Sequence, residues 1–428
     1  MTRTTTRPYR HPRWLRAPLL AALLVAAPLP PAAAAPLTLS AAIQRALAGH
    51  PQIASAELDL RAERARRDDL ARTSPWILSA ELENVAGSGE FTGLDRAETT
   101  LAVSKLLERG DKPQLRQDMG DAAVGVSHAR HEALRVAVAS QAADAFMTTL
   151  AAQRRVQVSL ESRRLAQTIR DTVQRRVDVG RSAEAELATA DISLVRARSI
   201  ERRAAGALEI ARRNLAAAMA APETDPGTLS GDLFALPPRA DFAALAARLD
   251  GNPELARLRQ EQLVRAAEQR LARAERRTDL TLGAGVRRLA ESDDTALLLS
   301  LSVPLGQRRR AEPATASADA RAEAAPLIQQ ARRLELRAEL FDLNGHLDAA
   351  ADDLHVLQEE IVPLAERAVN LYERGFERGR YSLFELNAAQ QALLEARRDA
   401  IDRAYDYQRL AIRIRGLLGE MPDQGARP

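Results

Sequence analysis

The sequence predicts a mainly helical, internally duplicated chain with two long antiparallel helical hairpins and four β-strands. Three observations predict it. First, VQRRVDVGRSAEAELATA at 173–190 returns as YERGFERGRYSLFELNAA at 372–389, matching Arg175 with Arg374, Gly180 with Gly379, Arg181 with Arg380 and Glu186 with Glu385. Second, two stretches poor in glycine and proline, 113–177 and 312–376, space their apolar residues three and four apart, as one face of a helix requires. Third, four short segments switch to strict alternation, the period of a strand.

The first residues stand apart. MTRTTTRPYRHPRWLR holds five arginines and no acid, APLLAALLVAAPL is a short apolar run, and PAAAAP offers small residues for cleavage. That layout predicts a secretory signal peptide over residues 1–35, cut after Ala34 or Ala35, with an uncleaved anchor as the alternative. The chain has 61 basic and 58 acidic residues; without the five leader arginines the balance is 56 against 58. Near-neutrality removes the main support for nucleic-acid binding. With no cysteine, neither disulfides nor a cysteine-linked lipid anchor are expected, and packing must hold the fold. Charges interrupt every later apolar run, so no transmembrane helix is expected.

Beyond the leader, LSAAIQRALAGHPQIASA at 39–56 is echoed by DFAALAARLDGNPELARL at 241–258, with Gly49-His50-Pro51 facing Gly251-Asn252-Pro253. The proline- and glycine-rich APETDPGTLSGDLFALPPRAD between the halves reads as a linker. These marks divide the chain into a first repeat at 36–221, a linker at 222–240, a second repeat at 241–420 and a tail at 421–428.

In each repeat a β-hairpin precedes the long rod, at about 77–105 and about 279–304. Leu78, Ala80 and Leu82 alternate with Ser79, Glu81 and Glu83, and Leu101 and Val103 with Thr100 and Ser104. Leu282, Ala284 and Val286 alternate with Gly283, Gly285 and Arg287, and Leu297, Leu299, Leu301 and Val303 with Leu298, Ser300 and Ser302. Polar loops, NVAGSGEFTGLDRA and RRLAESDD, are expected to join the pairs. One apolar and one mostly polar side fits a soluble sheet with a wet face or a membrane barrel. Nearby aromatics for an interfacial girdle are limited to Trp76 and Phe91.

Within the first rod Val138, Ala142, Phe146 and Leu150 recur every four residues; within the second, Leu357, Ile361, Leu364, Ala368 and Leu371 recur at three and four. Unbroken, each rod would reach roughly 95 Å at 1.5 Å per residue. Pro326 and Pro363 predict kinks or a late start in the second. Return helices at about 183–219 and 383–418 follow glycine turns, which places hairpin tips near 177–183 and 376–382.

The order helix, β-hairpin, rod, tip and return helix, written twice, resembles the TolC-like outer membrane efflux family over essentially the whole chain after the leader. The paired GHP and GNP openings, SKLLERGDKPQLR at 104–116, LSVPLGQRRR at 301–310 and the two tips carry the resemblance. ELENVAGSGE followed by SKLLERGDK is most similar to the heavy-metal (cobalt–zinc–cadmium) branch, with Arg109-Gly110-Asp111-Lys112 where that branch commonly has Gly-Gly-Lys. The resemblance implies a homotrimer whose strands close a twelve-stranded barrel in outer membrane lipid, above a periplasmic helical tunnel. It also implies a passive duct of a tripartite efflux system. Its partners would be a periplasmic adaptor (membrane fusion) protein and an inner-membrane pump of the resistance-nodulation-division type, and its cargo divalent heavy-metal cations. Multidrug export or secretion through the same duct, or a periplasmic coiled-coil adaptor or structural protein, are the alternatives.

The resemblance makes Glu186 and Glu385 candidates for lining the periplasmic entrance, where clustered carboxylates attract cations. The bland reading is an acid favoured at a helix N-terminus. Gly180, Arg181, Gly379, Arg380, Tyr381 and Phe376 are candidates for adaptor docking at the tips; the aromatics could instead fill the core where the hairpin closes. His128 and His131, and His346 and His355, lack a third ligand at metal-site spacing, so no metal site and no cofactor is expected. No glycine-rich phosphate loop, Gly-x-Ser-x-Gly or cysteine nucleophile points to an enzyme.

Overall fold

A computed structural model describes residues 36–422; the leader expected over 1–35 and the end of the tail lie outside the described residues. The first half runs α1 (Leu39–Gly49), α2 (Pro51–Leu70), β1 (Trp76–Glu83), β2 (Glu98–Leu107), α3 (Lys112–Asp178) and α4 (Glu184–Ala218). The second runs α5 (Phe242–Ala247), α6 (Pro253–Ala274), β3 (Leu280–Leu289), β4 (Asp294–Ser302), α7 (Gln307–Val356), α8 (Val362–Glu377) and α9 (Leu383–Leu417).

The GHP and GNP marks are helix starts. His50 Nδ1 accepts the Gln52 amide at 3.3 Å, and Asn252 Oδ1 accepts those of Glu254 and Leu255 at 2.9 and 3.0 Å. Pro51 and Pro253 follow, where a missing N–H costs no hydrogen bond. The apolar stripe of α3 then finds its partners. Val138, Ala142, Phe146 and Leu150 bury against Ile43 and Ala46 of α1, Leu215 of α4 and Ile401 and Ala404 of α9. A second core joins Leu245, Leu249 and Leu255 to Leu336, Leu340 and Leu347 of α7 and to Tyr407 of α9. The linker is fastened between them. The Tyr407 hydroxyl donates to Pro237 O at 2.6 Å, and the Gln408 amide donates to Leu233 O and Ala235 O at 3.2 and 3.1 Å.

The second rod differs from its expectation. It begins at Gln307, runs helically through Pro313 and Pro326, and is interrupted at Leu357–Ile361 by one wide π turn. Pro363 explains the place: its ring would collide with the carbonyl one turn earlier and it donates no N–H, so the turn before it widens. The first rod has no internal proline and stays one 67-residue helix.

The two β-hairpins join in one antiparallel sheet of order β1-β2-β3-β4. Its register sets Leu78, Val103, Ala284 and Leu299 in one cross-strand row and Ala80, Leu101, Val286 and Leu297 in the next. No part of the described chain covers this face: Leu297, Leu299 and Leu301 are 75, 80 and 65% exposed. The opposite face carries Ser79, Ala102, Gly285 and Leu298 in one row and Glu81, Thr100, Arg287 and Ala296 in another. There the backbones crowd: a Cβ on Gly285 would lie 2.7 Å from Ala102 Cβ and 2.8 Å from Leu101 O, and one on Gly283 would strike Ser300 Oγ. The sheet is therefore crowded on its polar side and bare on its apolar side. The expected loop RRLAESDD shrinks to residues 290–293, because Arg287 stays in the ladder. It pairs across strands with Glu98 at 2.7 Å and Glu83 at 3.0 Å, and donates to Thr100 Oγ1 at 2.9 Å.

Sheet and rods meet at Lys112, which is buried. Its ammonium reaches Asp279 at 2.7 Å and Glu275 at 3.3 Å and donates to Arg277 O at 3.1 Å. Asp279 also accepts the Arg109 amide at 2.8 Å, while Arg116 holds Glu108 at 2.5 Å. Gly110 and Asp111 both turn left-handed, at φ 86° and 58°, a conformation that glycine and aspartate tolerate best. SKLLERGDKPQLR is therefore the joint that ties β2 and α3 to α6 and β3.

Candidate functional site

Both hairpin tips close by the same device. The Gly180 amide donates to Val177 O and that of Arg181 to Arg176 O, at 2.9 and 2.7 Å; the Gly379 amide donates to Phe376 O and that of Arg380 to Gly375 O, at 2.9 and 2.8 Å. With φ 70° at Gly180 and 73° at Gly379, each is a glycine-closed helix end that satisfies carbonyls the helix leaves open. Gly180, Arg181, Gly379 and Arg380 all stand exposed at the turns.

The two return helices start differently. Ser382 caps α9: its hydroxyl accepts the Glu385 amide at 3.3 Å, and the Glu385 carboxylate takes the Ser382 amide and hydroxyl at 2.8 and 2.9 Å. These bonds, the backbone one foremost, hold the Glu385 carboxyl below its ordinary pKa, so it is charged at neutral pH. At the matching place α4 begins after Ala183, which has no side-chain oxygen to return such a bond. Glu186 is half-buried and Glu385 exposed. Their sequence neighbours Leu187 and Leu386 pack into one shared core with Ile169, Val173, Ala190, Leu383 and Tyr372, so the two tips lie against each other.

Phe376 corrects the docking expectation. It is 3% exposed and belongs to that shared core; an aromatic sealed inside the closure cannot anchor a partner. Tyr381 is partly exposed, set edge-on to Tyr372 with ring centroids 4.8 Å apart and seated on Gly375, where a Cβ would strike its ring. Phe384, the second residue of α9 and another aromatic beside this tip, is 80% exposed.

Sequence reasoning missed Arg176. It donates to Phe376 O at 2.8 Å, with its guanidinium 4.6 Å from the Phe376 ring centroid, and so ties the first tip to the second. The only sequence signal is a broken match: the second repeat has Gly375 where the first has Arg176. Also missed was the far end of the polar sheet face, where Glu83, Glu98, Leu289 and Asp294 form one row.

His131 Nδ1 lies 3.2 Å from Glu132 and its Nε2 4.0 Å from Glu57. Among the described residues no group of three or more His, Cys, Asp or Glu side chains could hold a metal ion. Nor is any described helix long and apolar enough to cross a membrane.

The family model described as outer membrane efflux protein matches residues 245–420. The cobalt-zinc-cadmium resistance protein CzcC of Cupriavidus metallidurans is 26% identical over 368 residues, 86% of this chain and 86% of that protein. The nickel-cobalt-cadmium resistance protein NccC of Alcaligenes xylosoxydans xylosoxydans is 28% identical over 276 residues, 63% of this chain and 62% of that protein. Among solved structures, CusC superposes with a TM-score of 0.75 over 89% of this chain and 92% of its own, at 17% identity, which establishes the shared fold.

Proposed function

We propose that this chain, which belongs to the outer membrane efflux protein family, is the outer-membrane duct of a system that expels divalent heavy-metal cations. The observation that carries the reading is the sheet: free edges at β1 and β4 among the described residues, an uncovered apolar face, and a closely packed polar face opposite. A soluble protein rarely leaves such a face bare, whereas a barrel in lipid needs apolar side chains outward and polar ones inward. Strands of eight to ten residues match the apolar band of an outer membrane.

One chain cannot close a barrel. Because strand direction alternates, β4 of one copy meets β1 of the next antiparallel, and three copies close twelve strands without a free edge. The chain is thus read as a homotrimer in outer membrane lipid, exported by a cleaved signal peptide. Its paired tips face the periplasm, where an adaptor docks on Gly180, Arg181, Gly379, Arg380 and Tyr381. A resistance-nodulation-division pump of the inner membrane supplies the energy. Glu186 and Glu385 supply negative charge at the entrance, which favours cations without holding them. The cargo follows the names of CzcC and NccC, which are metal-resistance proteins.

The test is growth of a deletion strain, with and without the gene restored, on zinc, cobalt, cadmium and nickel and on dyes and detergents. Metal sensitivity rescued by the gene is expected. Sensitivity to dyes and detergents alone would remove the metals from the reading.

A further inference from the structure

The motif LSVPLGQRRR has a consequence that the duct does not use. All four strands meet the helices at the same end of the sheet, where Trp76, Lys105, Leu282 and Leu301 form the last row that all four strands share, with Leu107 and Leu280 paired beyond it on the same face. Lys105 lies there on the apolar side, its ammonium 4.9 Å from the Trp76 ring centroid. The chain leaves β4 through exposed Val303 and Leu305, turns at Gly306, and enters α7 with Arg308, Arg309 and Arg310, all exposed.

Three arginines are the wrong charge for that position. A helix N-terminus carries partial positive charge and favours acids; α4 opens with Glu184 and Glu186 and α9 with Glu385, while the first turn of α7 has no acid. None of the three arginine side chains makes a hydrogen bond or an ion pair within the described residues. Nearby acids are already engaged: Glu108 by Arg116, and Glu275 and Asp279 by Lys112. Exposed Glu312 follows four residues after Arg308 on the same helix, without a bond to it. Exposed basic charge with no ion pair formed around it favours an anion from outside the chain, and here that anion must sit at the rim of an apolar face.

We propose that Arg308, Arg309, Arg310 and Lys105 form a collar for anionic glycerophospholipid headgroups of the leaflet nearer the helices. The acyl chains lie along the Leu282–Leu301 row, the phosphate meets the guanidinium fork bidentately, and Trp76 sits at the interface as amphipathic aromatics do. The proposal rests on the membrane-barrel reading above and adds a lipid preference to it.

The test reconstitutes the full chain into bilayers of mixed phosphatidylcholine and phosphatidylglycerol, extracts it gently and counts retained lipids by native mass spectrometry. Wild type should hold phosphatidylglycerol enriched roughly fivefold or more over the bulk ratio, from the attraction of clustered basic residues to an anionic surface. The Arg308→Gln/Arg309→Gln/Arg310→Gln variant should fall to the bulk ratio. Lys105→Gln should fall partway, and it keeps the question answerable if the triple variant does not assemble. Retention at the bulk ratio by a properly inserted wild type overturns the collar and leaves the barrel standing. Failure to insert at all overturns the barrel, and the collar with it. Loss of enrichment to inorganic phosphate at constant ionic strength would assign the arginines to free phosphate and overturn the lipid.

Discussion

Arg176 of the first hairpin donates to the carbonyl oxygen of Phe376 in the second at 2.8 Å, across two hundred residues of sequence. With the guanidinium also over the Phe376 ring, one side chain fastens one tip to the other. Arg176→Ala removes a hydrogen bond and a cation–π contact, together about 1–2 kcal/mol. Amide exchange across 376–382 should accelerate several-fold while the core around Phe146 keeps its protection. Unchanged exchange at the tip would mean that the contact holds nothing.

Glu385 separates charge from capping. A glutamine can serve the same cap, so Glu385→Gln removes negative charge and leaves α9 intact. In planar bilayers, Glu186→Gln/Glu385→Gln should lower the preference for cations over anions, read as a shift of reversal potential toward zero in a salt gradient. An unshifted potential would place the entrance filter elsewhere.

The same carboxylate predicts a pH effect. Its pKa is lowered in the folded chain by the Ser382 amide and hydroxyl. Its support of α9 is therefore complete above the ordinary carboxylate pKa and fades as pH falls through the lowered value. Ser382→Ala removes the hydroxyl bond and should move the Glu385 pKa back up, as carboxyl-carbon NMR on labelled protein would record. An unmoved pKa would leave the backbone amide as the sole cause.

Gly285 is held by shape. Gly285→Val drives a branched side chain into Ala102 and the Leu101 carbonyl and should cost about 2–3 kcal/mol or more, with loss of the proposed trimer on unboiled SDS gels. Gly206 in α4 has nothing within 4 Å of its would-be Cβ. Gly206→Ala should instead raise the melting temperature, by about 0.5–1 kcal/mol of helix preference.

Lys112 tests the joint between sheet and rods. Lys112→Met leaves the Asp279 carboxylate with only the Arg109 amide, and stranding a partly buried charge costs about 3 kcal/mol. Lys112→Met/Asp279→Asn should recover part of the lost melting temperature. If the double variant melts no higher than the single one, the lysine acts through packing alone.

The duplicated helical plan was legible because its determinants are local. A glycine closes each tip, a proline follows each cap, and apolar residues repeat at helical spacing over sixty residues. What was not legible depends on partners far away in sequence. Arg287 reads both as the last polar position of the strand alternation and as the start of the polar loop, until Glu83 and Glu98 are set beside it across two strands. Phe376 reads equally as anchor or core until Val173 and Leu386 close over it. Pro326 and Pro363 look alike in the sequence, yet α7 passes through the first and only the second lies beside a π turn. At the candidate site, sequence supplied the tip positions. It could not supply the bond between the tips, since Arg176 has no counterpart in the second repeat.

That missing counterpart would set the symmetry that the proposed docking partner meets. The tips share a backbone closure, but one carries Arg176 and Ala183 where the other carries Gly375 and Ser382. In the proposed ring of three such chains, two unlike teeth would alternate, so turning it by one tooth would not bring it back onto itself. A partner that reads side chains would then engage in three rotational settings rather than six.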